Sequence, residues 1–394
     1  MVRTLTGGVH WVGSLHWDRR LFDELIPLPD GTTYNAYLVQ GTEKTALIDT
    51  VDPEKTAELL DNLTALDITH IDYIIPNHTE QDHSGSIPAV LERFPDARVV
   101  TNAKCKTLCV DHLLIAPEKF IEIKDGETLP LGGKTLRFII APWVHWPETM
   151  LTYLQEDKIL FSCDLFGSHL ATSDLYATDE SRVYECAKRY YAEIMMPFRK
   201  NIQKHLTTLK DFDIGMIAPS HGPVHKRPAF IIDAYNDWTS ERVQNEVVIP
   251  YVSMHGSVEK MVAYFIEALV GHGIMVKPFN LPRTDVGELA ISLVDAATIV
   301  VGTPTVLVGP HPAAVYATYL ANALRPKTRF ASIVGSYGWG GKMPETIQGM
   351  LTNLKVAFLE PVIAKGHPGK DDYAALKRLA DDIRMKHQEI DILK

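Results

Sequence analysis

Four side chains able to ligate a metal stand within six residues: His78, Glu80, Asp82 and His83, in the run from Ile71 to Gly85. A short β-rich run precedes them and ends at Pro76. A helix is predicted to follow, from about Ser84 to Arg93, with Ser84 as candidate N-cap. Alternate residues of an extended chain project to one side, so His78, Glu80 and Asp82 can converge, and His83 can swing in where the chain turns. Two carboxylates and two imidazoles are more than one four-coordinate zinc usually takes from a single short segment. They suit two metals, and the carboxylates favour harder ions such as iron or manganese. A capped polar loop with its charges in solvent is the plainer alternative. The grouping of ionisable residues behind an apolar strand argues against it.

The same arrangement, a strand with a possible ligand at its C-terminal end, recurs three times. His145 follows the apolar run 136–140, Asp164 follows 159–163, and His221 follows 214–220 with Gly222 behind it. Taken singly, His145 reads equally as a core histidine between Trp143 and Trp146, and Asp164 as a turn cap. The repetition favours convergence on one site. His225 is a further candidate near His221, disfavoured because Pro223 breaks any regular helix between them.

The elements that must position these residues follow from the pattern. Alternating β-branched and aromatic residues predict strands over 8–13, 33–39 and 45–51, with others at 99–100 and 135–141, and a helix over about 53–66. A chain of 394 residues exceeds one ordinary core, so two domains are expected. The polar stretch from Trp238 to Glu246 sets the boundary, giving domains 1–246 and 247–394. The second domain alternates strands (247–252, 275–279, 295–302, 329–334) with helices (259–271, 313–324, and a closing one over 371–387). That order predicts a doubly wound parallel sheet, with ligands at the C-terminal strand ends.

Three loops fall at those ends. Ser253, Met254, His255, Gly256 and Ser257, followed by Val258, form a hydroxyl-and-glycine loop at a helix N-terminus, suited to a phosphate. It is neither a dinucleotide fingerprint nor a lysine-bearing phosphate loop, and its shortness favours a mononucleotide. Thr303, Pro304 and Thr305 form the second loop. The third, 335–341, contains Ser336, Tyr337, Gly338, Trp339 and Gly340, and its aromatic rings could stack on a flat ligand.

Composition excludes other classes. Hydrophobic content of 46% with 22% charged residues is that of a globular protein, and a net charge of −10 argues against nucleic acid as a main partner. No apolar run approaches the roughly 18 residues a membrane helix needs. The N-terminus shows no signal-peptide core, so the cytoplasm is the expected location. Cys105, Cys109, Cys163 and Cys186 form no C-x-x-C pair, which excludes a rubredoxin-type iron site within the chain. They read as buried thiols.

The constellation of His78, Glu80, Asp82 and His83 followed by His145, Asp164 and His221 resembles the metallo-β-lactamase fold in its flavodiiron version. Metallohydrolases of that fold usually carry His where this chain has Glu80. The runs 31–38, 145–147 and 219–222 match the same family, and the resemblance covers essentially the whole chain. It implies an αββα sandwich followed by a flavodoxin-like FMN domain. It implies one iron held by His78, Glu80 and His145, a second held by Asp82, His83 and His221, and Asp164 bridging them. It implies FMN in the three loops, and an oxidoreductase that reduces dioxygen to water or nitric oxide to nitrous oxide. Tyr191, in a helical stretch over about 183–192, is the candidate to donate a hydrogen bond or proton to a bound gas, with Tyr190 beside it. The resemblance further implies a head-to-tail homodimer or a dimer of dimers, and an external electron donor such as rubredoxin or a reduced cofactor. Two departures stand out: Val258 replaces a common Thr, and Val306-Leu307-Val308-Gly309 stands where relatives often carry Asn. The alternative from another class is a dinuclear zinc metallohydrolase with an accessory flavodoxin-like domain. A redox-inert scaffold or sensor rests on those departures alone.

Overall fold

A computed structural model describes residues 1–393. The chain forms two compact units. One comprises Met1–Tyr191 with Phe198–Thr239; the other runs from Ser240 and includes the short segment Ala192–Pro197.

The first unit is built on two sheets. Strands Arg3–Thr6, Val9–Trp11, Tyr37–Gln40, Thr45–Ile48, Tyr73–Ile75, Arg98–Thr101 and Phe120–Glu122 lie side by side in that order. The second sheet orders Thr128–Pro130, Thr135–Ile140, Met150–Leu154, Ile159–Cys163 and Met216–Pro219. Successive residues of a strand face opposite sides, and both sides of the first sheet are apolar. Tyr37, Val39, Ala46, Ile48, Ile75 and Val100 pack on Leu136, Phe138, Met150 and Phe161 of the second sheet. Their neighbours Leu38, Leu47, Ile74 and Val99 face the other way. They meet Leu59, Leu63, Val90, Cys105 and Cys109, carried by helices Thr56–Ala65, Ile87–Arg93 and Ala103–Leu113. The expected sandwich is therefore present. All four cysteines are free and buried.

Parallel pairing places the site. Thr45–Ile48, Tyr73–Ile75 and Arg98–Thr101 run parallel, as do Ile159–Cys163 and Met216–Pro219. Their C-terminal ends therefore lie together within each sheet. The loop after Tyr73–Ile75 differs from expectation. A short helical turn, Gln81–Ser84, comes first, and the longer helix starts only at Ile87. Ser84 is thus no N-cap; its hydroxyl donates back to the carbonyls of Thr79 and Glu80. Asp82 and His83 sit on that turn, so helical geometry, not strand alternation, brings them beside Glu80.

In the second unit the parallel sheet orders Met275–Asn280, Gln244–Tyr251, Ala296–Val306 and Phe330–Tyr337, with Ala357–Phe358 and Val362–Lys365 beyond. Counted along the chain this is the order 2-1-3-4-5 of flavodoxin-like sheets, whose switch point lies between the first and third strands. Val247, Ile249, Val300 and Val334 pack on Met261, Phe265 and Leu269 of helix Ser257–Gly271, and on Leu376, Leu379 and Ile383 of helix Lys370–Glu389. The doubly wound sheet is as expected. Thr303, Pro304 and Thr305 are not a loop, however. The third strand continues to Val306 because Thr305 pairs with Pro310 in a tight hairpin. Among the described residues no helix is long and apolar enough to cross a membrane.

Candidate functional site

The candidate ligands outside the Gln81–Ser84 turn follow strand ends. His78 and Glu80 follow Tyr73–Ile75, His145 follows Thr135–Ile140, Asp164 follows Ile159–Cys163, and His221 follows Met216–Pro219. Two turns need unusual backbone. Cys163 takes a φ of 51° ahead of Asp164, a left-handed conformation that L-residues hold only when their surroundings impose it. Gly222, at φ 77°, leaves no room for a Cβ, which would lie 2.1 Å from Ser168 Oγ. Only glycine can follow His221 here.

The side chains fall into two groups that meet at Asp164. His78, Glu80, His145 and Asp164 bring ligand atoms within 4.8 Å of one another, and so do Asp82, His83 and His221. Asp164 reaches into both: Oδ2 lies 3.3 Å from His145 Nε2, and Oδ1 lies 2.9 Å from His83 Nε2 and 3.5 Å from His221 Nε2. Glu80 Oε2 is 3.0 Å from His145 Nε2, and Asp82 Oδ2 is 3.0 Å from His221 Nε2.

Two imidazoles are anchored from behind. His78 Nδ1 donates to Glu148 Oε1 at 2.7 Å, and His221 Nδ1 to the Thr33 carbonyl at 2.6 Å. Each bond places the ring hydrogen on Nδ1 and leaves the Nε2 lone pair facing the cluster. In contrast, both oxygens of Asp82 and of Asp164, and both nitrogens of His83, are buried without an aligned hydrogen bond. Buried polar atoms are rarely left so. Crowded lone pairs converging on common points are what a metal pair would satisfy, so the residues fit such a centre.

The electrostatics point the same way. Burial alone would lower His83, but the Asp164 and Asp82 carboxylates outweigh it and lift the imidazole to about 10. His145 is likewise depressed by burial yet raised to about 9 by Asp164 and Glu80. A pocket that holds imidazolium so firmly is one that demands positive charge. The cluster opens on a cavity of about 580 Å³ lined by Glu80, Asp82, Trp146, Phe22, Asp23 and Arg19, among others.

In the second unit a separate cavity of about 280 Å³ lies at the strand ends. Ser253, Met254, His255, Ser257 and Val258 line it from the first loop, and Pro304 and Thr305 from the third strand. Ser336, Tyr337, Gly338 and Trp339 complete the wall, with Gly366.

The residues 32–222 match the model of a family described as ODP family beta lactamase. A nitric oxide reductase from Moorella thermoacetica is 35% identical over 90% of this chain and 90% of its own length. The rubredoxin oxygen:oxidoreductase structure from Desulfovibrio gigas superposes with a TM-score of 0.96 at 30% identity, covering 99% of each chain. The flavodiiron protein of Giardia intestinalis gives a TM-score of 0.90 at 26% identity over 98% of this chain and 96% of that one. This chain belongs to the flavodiiron family. It is an oxidoreductase, and the zinc hydrolase alternative is not favoured.

Within this flavodiiron chain the seven expected ligands all reach one cluster, His83 among them. His225 does not; its Nε2 faces the Phe166 carbonyl at 3.2 Å. Tyr191 also lies elsewhere. Its hydroxyl donates to the Trp238 carbonyl at 3.3 Å, and its ring packs on Tyr235 and Trp238. Its neighbour Tyr190 faces the site instead: burial, then the Asp164 charge beside it, holds its phenol well above the usual range. Tyr190 is the last residue of helix Glu180–Tyr190, and successive side chains of a helix point about 100° apart, so the next one turns away from the site. In the second unit Gly256, Thr303 and Gly340 are not among the cavity's lining residues. Gly256 instead supplies the left-handed turn at φ 85° before the helix, and the Thr303 hydroxyl bonds within its own hairpin.

Several further residues support the site. Glu148 anchors His78. Asp49, itself at φ 54°, accepts from the Asn77 backbone and side chain and from Ser220, tying the His78 loop to the His221 loop. His169 packs on His221 with ring centroids 4.9 Å apart and meets Thr32 at 2.9 Å. Asp23 borders the cavity, and burial, then the nearby Glu80 and Asp82 charges, lifts its carboxyl to about 6. None of them stands in a motif, and their partners lie far along the chain.

Proposed function

We propose that the chain is a flavodiiron gas reductase, with His78, Glu80 and His145 holding one iron, Asp82, His83 and His221 the other, and Asp164 shared. The observation that carries this is the pair of ligand groups meeting at Asp164, whose buried oxygens lack aligned hydrogen bonds. Bound there and in the second cavity, two irons and FMN would supply the electron-transfer chemistry that reduces dioxygen to water or nitric oxide to nitrous oxide.

The protein's own part is positioning. Glu148 and the Thr33 carbonyl hold two imidazoles in one tautomer. Trp146 stands edge-on against His78, at 4.9 Å between ring centroids, and limits that ring's rotation. In the second unit, proposed as the FMN domain from 247 onward, the loop from Ser253 to Ser257 would take the phosphate, and Tyr337 or Trp339 would cover the flavin ring. Electrons would come from rubredoxin or a reduced cofactor, and a head-to-tail homodimer, or a dimer of dimers, would bring the flavin of one copy to the iron pair of another. Four free buried thiols suit a reducing compartment and support a cytoplasmic location.

The test is gas consumption by iron- and FMN-loaded protein with reduced rubredoxin as donor, followed separately for dioxygen and nitric oxide. Consumption of either gas, lost in Asp164→Asn, is expected. Loaded protein that consumes neither contradicts the proposal.

A further inference from the structure

Three side chains form a line ending at the second cavity. Lys260 Nζ lies 2.9 Å from His367 Nε2, and His367 Nδ1 lies 3.1 Å from Ser257 Oγ. Ser257 lines the cavity and opens helix Ser257–Gly271; Lys260 follows one turn later. His367 comes from a distant part of the chain, next to Gly366, which lines the same cavity.

Hydrogen-bond accounting fixes the direction of this line. A lysine ammonium has three donors and no acceptor, so the His367 Nε2 must accept from it. The neutral ring then carries its hydrogen on Nδ1 and donates to Ser257 Oγ. With one lone pair of that oxygen engaged, the Ser257 hydroxyl hydrogen is left to donate elsewhere, and the cavity is what Ser257 faces. Among the described residues, the cavity wall carries no Asp, Glu, Lys or Arg. A phosphate monoester there would depend on backbone N–H groups, the helix dipole and hydroxyls. Ser253 Oγ likewise accepts, from the Glu259 N–H at 3.1 Å, and keeps its hydrogen to donate, but the group behind it is a neutral backbone amide.

We infer that Lys260, His367 and Ser257 form a polarised relay that aims the Ser257 hydroxyl at the phosphate of a mononucleotide and lends it the lysine's charge without placing the ammonium in the pocket. Lys260 and His367 are positioning residues, and Ser257 is the contact. The inference rests on the FMN reading above, and names which residues beyond the loop hold the phosphate end. It also sets Ser257, backed by an ammonium through His367, apart from Ser253, backed by a neutral amide.

The relay is tested by titrating the apoprotein with FMN and, separately, with riboflavin, which lacks the phosphate, and reading the quenching of flavin fluorescence. His367→Ala and Lys260→Met are each expected to weaken FMN about tenfold, the size of one charge-assisted hydrogen bond, and to leave riboflavin unchanged. Adding His367→Ala to Ser257→Ala should cost nothing more, because the relay acts through that hydroxyl. His367→Gln, whose amide can accept from Lys260 and donate to Ser257, should recover most of the FMN affinity. Equal losses for both flavins, or none for FMN, overturn the relay. The imidazole nitrogen shifts of His367 in the wild-type apoprotein give a separate readout: hydrogen on Nδ1 is expected, and hydrogen on Nε2 overturns the relay whatever binds. Wild-type protein that binds neither flavin would overturn the FMN reading itself.

Discussion

Glu148 accepts from His78 Nδ1 at 2.7 Å and from the Thr79 backbone N–H at 3.0 Å, so one buried carboxylate fixes both a candidate ligand and the loop that carries it. Carboxylates that orient metal-bound imidazoles are commonly worth 10- to 100-fold in metal affinity. Glu148→Ala should therefore lower iron affinity by about that factor, measured by competition with a chelator. Unchanged affinity would show that His78 is held by other contacts.

Asp49 joins the loop of His78 to the loop of His221 through Asn77 and Ser220. Replacing it by Ala strands the buried Asn77 N–H and the Ser220 hydroxyl and leaves a side chain at φ 54°. Each buried group left unpaired costs about 1–3 kcal/mol. Asp49→Ala should lose at least about 2 kcal/mol of stability in urea unfolding, together with metal retention. Full stability would mean that the loops are braced elsewhere.

The two adjacent tyrosines should separate cleanly. Tyr190 lies beside Asp164, whereas Tyr191 donates to the Trp238 carbonyl. Tyr190→Phe should change iron affinity or the iron absorption spectrum, by about tenfold in affinity. Tyr191→Phe should leave both alone and cost about 1 kcal/mol of stability. The reverse result would restore Tyr191 to the site.

Acid sensitivity has a defined source in the second unit. His387 is fully buried between Thr298 Oγ1 and Asn245 Oδ1, at 2.7 and 2.8 Å, and burial lowers its imidazole to about 4. The unfolded chain takes up this proton near pH 6.5. Between about 6.5 and 4 the unfolded state thus binds more protons than the folded one, and stability falls as pH falls. Urea midpoints measured from pH 7 to pH 4 should decline, and less steeply in His387→Gln. Equal slopes would assign the effect to other groups, such as His225, which burial also lowers to about 4.

What the sequence discloses depends on range. His78, Glu80, Asp82 and His83 are legible because they are near neighbours, and His145, Asp164 and His221 because each closes an apolar strand. Glu148 and Asp49 are not, since their meaning lies in partners far along the chain and neither stands in a motif. Tyr190 and Tyr191 are adjacent tyrosines, and the sequence does not show which of the two directions, about 100° apart on a helix, faces the site. Thr303 to Thr305 looked like a loop because Pro304 signals one, yet the hairpin to Gly309 and Pro310 extends the strand through it. The sandwich and the doubly wound sheet were easier, because alternation and β-α order repeat over long stretches.

The proposal places an iron pair between the two buried groups that share Asp164, and FMN in the second cavity. The most direct measurement is the metal and flavin content of protein purified anaerobically from iron-sufficient cells. The account predicts about two irons and about one FMN per chain, with iron falling sharply in Asp164→Asn while FMN stays. Zinc in place of iron, with no flavin, would contradict it.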